Sequence, residues 1–158
     1  MASIQKDKVK LPEGYRWIES SDVSKRFNSP DSDMNRYSLN DYYKWSLESN
    51  SLVLVKERNE EIFAVSYLTI HDSYITIEMF SRNSLVDSKG IGANMLRVIF
   101  EYICKPNEIY EVRLEAIKNA VSYYDSYLPI ELQFTEYDEP FPGEGWGVLT
   151  PKKKILSR

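Results

Sequence analysis

The sequence has few of the residues that metal sites and disulfides require. Its 158 residues contain one cysteine, Cys104, and one histidine, His71. A single cysteine allows no internal disulfide, and without a set of Cys and His side chains no metal cofactor is predicted. The opening segment MASIQKDKVKLPEG is charged rather than apolar, and no apolar run approaches the length that crosses a membrane. We therefore expect a cytoplasmic protein without a membrane partner.

The sequence also lacks a strongly basic region, because its formal net charge is -4 and its Lys and Arg residues are scattered. Nucleic-acid surfaces cluster these residues, so a nucleic-acid partner is not expected, and the sign of the charge favours cationic partners. A hydrophobic content of 42% with 28% charged residues is typical of one globular domain. The sequence predicts a single domain over residues 1–158, with flexible ends at 1–13 and 151–158.

The spacing of apolar residues predicts an ordered series of strands and helices. A strand in GYRWIES is followed by a helix in SSDVSKRFN, where Val23 and Phe27 share one face, and by a second helix in SDMNRYSLNDYYKWSLES. The short polar turns RNE and HDS join the next three strands into an antiparallel meander. Strands are predicted at residues 14–20, 51–57, 61–70, 74–80, 109–117, 131–137 and 145–149, and further helices at residues 90 to about 104 and 120–128.

Two glycines, Gly90 and Gly92, stand at the start of a predicted helix. Glycine is a poor helix former, so a pair in the first turn indicates that something approaches the backbone closely. An anion fits, because the unpaired amides and the dipole of a helix N-terminus attract negative charge. A dinucleotide-binding loop is not predicted, since Met95 stands where its third glycine is needed. A Walker loop is not predicted either, because its Gly-Lys-Ser/Thr order is absent. The amides of residues 86–92 therefore form the predicted anion site, to which Lys89 adds charge.

This segment resembles a known family. DSKGIG at residues 87–92 is similar to the Gln/Arg-x-x-Gly-x-Gly/Ala signature of the GNAT superfamily of acyl-CoA-dependent N-acyltransferases. The order of elements is similar over about residues 14–149. NAVSYYDSYLPI resembles a second family segment and places Tyr124 four residues after Ala120. The chain departs from the pattern in having Asp87 for Gln or Arg, and SYLPI lacks the usual glycine.

The resemblance implies an α+β, three-layer fold. Its centre would be a mostly antiparallel, twisted sheet of about seven strands flanked by helices, with the fourth and fifth strands splayed apart. It implies that acetyl-CoA is the cosubstrate and that an acetyl group passes to a primary amine by direct attack in a ternary complex. The acceptor is a small amine, a lysine side chain or a protein N-terminus. A catalytically silent acyl-CoA-binding or interaction domain is the alternative, and a homodimer is left open.

The resemblance also implies the residues that contact the donor. The loop amides would bind the pyrophosphate of CoA, and a backbone N–H near residues 80–82 would stabilise the thioester oxyanion. The implied CoA-binding residues are Met79, Phe80, Ser81, Val86, Asp87, Ser88, Lys89, Gly90, Ile91, Gly92, Ala93, Asn119 and Tyr123.

Acyl transfer to an amine needs a base for the amine and an acid for the departing thiolate. Glu78 on the fourth strand is the first candidate for the base, and Glu115 on the fifth is the second; either could instead face solvent or pair with Arg113 or Arg82. Alternation along the fourth strand predicts that Glu78 shares a face with Thr76 and Phe80, opposite Ile75, Ile77 and Met79.

The resemblance makes Tyr124 the candidate for the acid. Tyr123 and Tyr127 compete with it, and a packing role is the default for any one of the twelve tyrosines in the chain. Only the register after Ala120 favours Tyr124.

Overall fold

The computed structural model describes residues 4–30, 36–109, 111–117, 134–138 and 146–151, with side chains up to Arg113. In these residues a seven-stranded sheet has the order β1-β2-β3-β4-β5-β7-β6, and every neighbouring pair is antiparallel except β4 and β5. The strands are β1 Tyr15–Trp17, β2 Ser51–Arg58, β3 Glu61–Ile70, β4 Ile75–Arg82, β5 Val112–Ile117, β6 Phe134–Asp138 and β7 Trp146–Pro151. The predicted fold class is confirmed.

In the part of the chain that the structure describes, two α-helices cover the sheet from opposite faces. Helix α1, Leu39–Ser46, begins at Ser38, whose hydroxyl accepts a hydrogen bond from the Asp41 amide while the Asp41 carboxylate accepts one from the Ser38 amide. Helix α2, Ile91–Val98, has Gly90 as its N-cap residue. It continues as a π-helical segment, Ile99–Cys104, and a 3₁₀ turn, Lys105–Asn107. The helix predicted at residues 90 to about 104 is confirmed.

Each helix packs on its own apolar cluster, and the sheet separates the two clusters. One cluster joins α2 to the sheet through buried residues that include Met95, Leu96, Ile99, Ile75 and Ile77. The other joins α1 to the sheet through Leu39, Tyr42, Val53, Val55, Ile62 and Val65. Strand β2 is buried continuously from Ser51 to Val55, because a central strand covered on both faces has no solvent side. This arrangement gives the three layers that the sequence predicts.

The helix predicted in SSDVSKRFN is wrong. The structure has only a 3₁₀ turn there, Ser20–Ser24, and the chain is extended at Lys25. Val23, predicted to share a helical face with Phe27, is exposed, whereas Asp22 is buried. The Asp22 carboxylate accepts two hydrogen bonds from Arg16, at 2.7 and 2.8 Å, and one from the Glu19 amide at 2.8 Å. These contacts hold the turn against β1, so propensity for a longer helix is overridden.

Arg16 also joins this turn to β2. Its guanidinium contacts both carboxylate oxygens of Glu57, at 3.3 and 2.9 Å, and Lys25 contacts Asp22 at 3.0 Å and Glu57 at 3.1 Å. Burial alone would raise the pKa of the Asp22 carboxyl, but hydrogen bonds from Arg16, Glu19 and Lys25 hold that pKa well below its usual value. The four charges therefore form one structural ion-pair network.

Part of the segment expected to be a flexible end contacts the sheet. Ile4, Val9 and Leu11 pack against the α2-side cluster, and the Trp17 indole N–H donates to the Lys6 carbonyl at 3.2 Å. The helix predicted at residues 120–128 and the loop of the last hairpin lie outside the described residues. Among the described helices, none is long and apolar enough to cross a membrane.

Candidate active site

Strands β4 and β5 separate along their length. Their parallel ladder has three residue pairs, from Ile75 opposite Val112 to Ile77 opposite Leu114. Strand β4 then continues to Arg82 and β5 to Ile117, with no further pairing between these two described strands. The splay predicted for the fourth and fifth strands is therefore present. We call the opening between residues 78–82 and residues 115–117 the β4–β5 gap.

A bulge in β4 lies at the start of this gap. Met79 pairs with Tyr67 and Ile77 pairs with Leu68 on β3, so Glu78 is an extra residue between two pairs. A bulge changes which face of a sheet the following side chains occupy, and bulges often lie beside active sites. The register of β4 on β3 therefore changes between Ile77 and Met79.

The bulge corrects the predicted faces of β4. Phe80, expected on the face of Glu78, packs on the α2-side cluster that contains Ile75 and Ile77. Met79, expected with Ile75 and Ile77, packs on the α1-side cluster instead. The strict alternation assumed from the sequence fails here because Glu78 is bulged.

Glu78 has a defined hydrogen bond although its side chain is exposed. The Thr69 hydroxyl donates to Glu78 Oε2 at 2.6 Å, and the same hydroxyl lies 3.3 Å from His71 Nε2. One carboxylate oxygen is thus oriented by β3 while the group keeps access to solvent. Such a carboxylate can accept a proton from a bound amine, directly or through water.

Neither arginine that was considered as a partner for Glu78 pairs with it in the described residues. Arg113 contacts Glu111 at 3.0 Å and lies 3.9 Å from the centre of the Tyr74 ring. Arg82 donates to the Ser88 hydroxyl at 3.3 Å. The Glu78 carboxylate is therefore not neutralised by either guanidinium. Glu115 stands on β5 opposite Val148, and its side chain lies outside the described part.

The loop from β4 to α2 folds tightly around Ser88. This buried side chain donates to the Asn83 carbonyl at 2.6 Å, its amide donates to the Val86 carbonyl at 2.9 Å, and its carbonyl accepts from the Ile91 amide at 3.1 Å. Gly90 follows with φ of +79°, a left-handed conformation that side chains rarely adopt. The loop therefore reaches α2 through a backbone conformation that favours glycine at this position.

Several amides at the start of α2 are available to a ligand. Within the described residues no acceptor is present for the amides of Lys89 and Gly90, and the first-turn amides of Gly92 and Ala93 have no intrahelical partner by geometry. A Cβ added at Gly90 would meet nothing within 4 Å. The first turn carries no acidic side chain. Open amides on a helix N-terminus are the chemistry that binds phosphate.

The structure brings most of the implied donor-binding residues together at the end of β4 and in the loop that follows it. Ser81, Ser88 and Gly92 are buried, Met79, Phe80, Val86, Ile91 and Ala93 are half-buried, and Asp87, Lys89 and Gly90 are exposed. The implied residues Asn119 and Tyr123 and the candidate acid Tyr124 lie outside the described residues.

Two residues at this site were missed by sequence reasoning. Thr69 carries no sequence signal, because its contact with Glu78 depends on the register of β3 on β4. Asn83 does carry a signal: it follows directly after a strand, where an Asn side chain often bonds the backbone two residues on. Its Oδ1 accepts from the Leu85 amide at 3.1 Å.

Comparison with known proteins identifies the fold. No protein-family profile and no curated protein sequence matches the chain. Among solved structures, Ard1 from Thermoplasma volcanium is 14% identical with a TM-score of 0.62, over 90% of this chain and 97% of that one. The ribosomal-protein-S18-alanine N-acetyltransferase from Escherichia coli is 11% identical with a TM-score of 0.63, over 91% and 96%. A GNAT family acetyltransferase from Elizabethkingia anophelis, with acetyl-CoA bound, is 14% identical with a TM-score of 0.53, over 89% and 99%. The chain therefore has the fold of the GNAT acetyltransferases.

Proposed function

We propose that the protein is an N-acetyltransferase that moves the acetyl group of acetyl-CoA to a primary amine in a ternary complex. The observation that carries this proposal is the β4–β5 gap together with the glycine-led helix directly after β4. The structures of the same fold from Elizabethkingia anophelis and Thermoplasma acidophilum hold acetyl-CoA and coenzyme A, respectively. The gap can hold the pantetheine arm of such a ligand, and the open amides at the start of α2 can bind its pyrophosphate.

The donor would bind along the end of β4. Its pyrophosphate accepts hydrogen bonds from amides of residues 86–92, where the helix dipole favours negative charge. Residues 78–82 have a backbone edge that β5 does not use, so the amides of the pantetheine arm can pair with it as an added strand would. This orientation directs the thioester toward the bulge at Glu78.

The chemical step forms a C–N bond and breaks the C–S bond of the thioester. Glu78 accepts the proton of the acceptor ammonium, with its carboxylate oriented by Thr69. A backbone N–H near residues 80–82 stabilises the oxyanion, and the Tyr124 hydroxyl protonates the departing thiolate of CoA. The second proton that the attacking nitrogen loses restores the Tyr124 hydroxyl, so the step releases one proton in total, through Glu78. Glu115 is the alternative base, on the facing strand.

Release of free thiol tests this proposal. The wild-type protein is incubated with acetyl-CoA and pools of polyamines, amino acids, aminoglycosides and peptides, and each pool is compared with an amine-free control. Thiol release that depends on one pool supports the proposal and identifies the acceptor class. CoA binding without release in any pool would favour the silent acyl-CoA-binding domain.

A further inference from the structure

The side chain of Asn83 is completely buried between the loop that follows β4 and residues 26–28. Its Oδ1 accepts from the amides of Leu85 and Asn28, both at 3.1 Å, and its Nδ2 donates to the carbonyls of Ile62 at 2.8 Å and Arg26 at 3.2 Å. A side-chain amide has two donor hydrogens and two acceptor lone pairs. Every one of them is used here on backbone groups.

No other residue type can make this set of contacts. Aspartate has the same shape but would place an oxygen against two carbonyl oxygens in a buried site. Alanine would leave two amides and two carbonyls without this partner, and the hydrogen bond to the Ile62 carbonyl is buried. The position therefore requires asparagine for reasons that go beyond packing.

Asn83 joins the donor-binding loop to residues 26–29. Other contacts also reach residues 26–29 from the loop and from the end of β4. The Ser84 amide and hydroxyl donate to the Asn28 carbonyl at 2.7 and 2.8 Å, the Asn28 side chain donates to the Ser84 hydroxyl at 3.0 Å, and the Ser81 hydroxyl of β4 donates to the Ser29 hydroxyl at 2.8 Å. Residues 26–29 in turn border the α1 face of the sheet, because Phe27 packs on the same cluster as Met79. Glu78 lies next to Met79 in the bulge of β4, at the start of the gap.

We infer that Asn83 is a positioning residue that couples the donor loop to residues 26–29, so that binding of CoA also orders this segment on the α1 face of the sheet. This inference rests on the proposed function, because it assumes that CoA binds at residues 86–92. When the loop is held by pyrophosphate, the Leu85 and Asn28 amides are held on the same oxygen. Binding of CoA to the donor loop therefore also restricts the motion of residues 26–29.

Hydrogen exchange followed by NMR tests the coupling in the wild-type protein. Saturating CoA should slow hydrogen exchange of the Leu85 amide and, through Asn83, of the Asn28 amide. Each exchange rate should fall by about tenfold or more, because exchange follows the local opening that bound CoA would suppress. Slowing at Leu85 alone would overturn the inference and leave the proposed function standing. Failure of CoA to bind at all would overturn the proposed function and the inference with it.

Two variants separate positioning from simple stability. Asn83→Ala should weaken CoA binding by about tenfold. The control is Leu52→Ala, which removes a buried side chain near the start of β2, where Leu52 pairs with Leu68 on β3. It should leave CoA affinity within about twofold despite a comparable loss of stability. Equal losses of affinity in the two variants would mean that Asn83 acts only through stability. Should Asn83→Ala fail to fold, the hydrogen-exchange comparison in the wild-type protein decides the inference alone.

Discussion

The two halves of β4 have different neighbours. Residues 75–77 are paired with β3 on one side and β5 on the other, and Ile75 and Ile77 are buried. Residue 78 is the bulge, and residues 79–82 are paired with β3 alone among the described strands and lead into the loop that starts α2. The first half of the strand is thus paired on both sides, whereas the second half has a backbone edge that described strand β5 does not pair with. The proposed donor site therefore begins where the β5 ladder ends.

Glu78, the first residue of the second half, should give the largest effect. Glu78→Gln keeps the size and can still accept from Thr69 but cannot take up a proton. Turnover should fall by about 100- to 10,000-fold at neutral pH, and less at high pH where the acceptor amine is already neutral. The measurement is kcat against pH with the acceptor identified by thiol release. Unchanged turnover would move the role of base to Glu115 or to water.

Ile75, the first residue of β4, should behave in the opposite way. Ile75→Ala removes a fully buried side chain of the α2-side cluster and should reduce the free energy of unfolding by about 2–5 kcal/mol. CoA affinity, measured well below the melting temperature, should stay within about twofold, because the change leaves residues 78–82 intact. A large loss of affinity in the folded variant would erase the distinction between the two halves.

The ion-pair network around Asp22 is a reference case away from β4. Because the folded-state pKa of Asp22 is lowered, its contribution to stability is present above the unfolded pKa and is lost as the pH falls. Wild-type stability should therefore decrease below about pH 4, near the unfolded pKa of Asp. Asp22→Asn should cost about 3 kcal/mol at neutral pH and flatten this acid decrease.

Chemical denaturation at several pH values measures the Asp22 effect. The matched control is Asp7→Asn, because Asp7 is exposed and no ion pair to it is present in the described residues. An acid decrease of the same size in Asp22→Asn as in the wild type would show that other carboxylates dominate it.

Tyr124 tests whether the site is chemically active or only binds the donor. Tyr124→Phe keeps the ring and removes the hydroxyl, so turnover should fall by about 100-fold or more if the hydroxyl protonates the thiolate. CoA affinity and melting temperature should barely change. Tyr127→Phe is the matched control and should keep wild-type turnover. Undiminished thiol release in Tyr124→Phe would contradict the assigned role.

Local patterns predicted most of the elements because their signals lie within one segment. The meander of β2, β3 and β4 follows from alternation and short turns, and the helix after Gly90 follows from helical spacing. The features that define the site depend on pairing between distant residues. The bulge at Glu78 arises from the register on β3, and the buried position of Asp22 arises from contacts with Arg16. No periodicity within one segment reports such contacts.

Calorimetric titration of CoA into wild type, Gly90→Asn and Gly90→Glu tests the central claim most directly. Asparagine tolerates the left-handed backbone at Gly90, whereas glutamate strains it and extends a negative charge into the open space beside the amides. The account predicts CoA binding by wild type, a modest loss in Gly90→Asn, and a loss of about 100-fold or more in Gly90→Glu with the fold retained. Equal affinity of all three proteins would contradict a donor site at the start of α2.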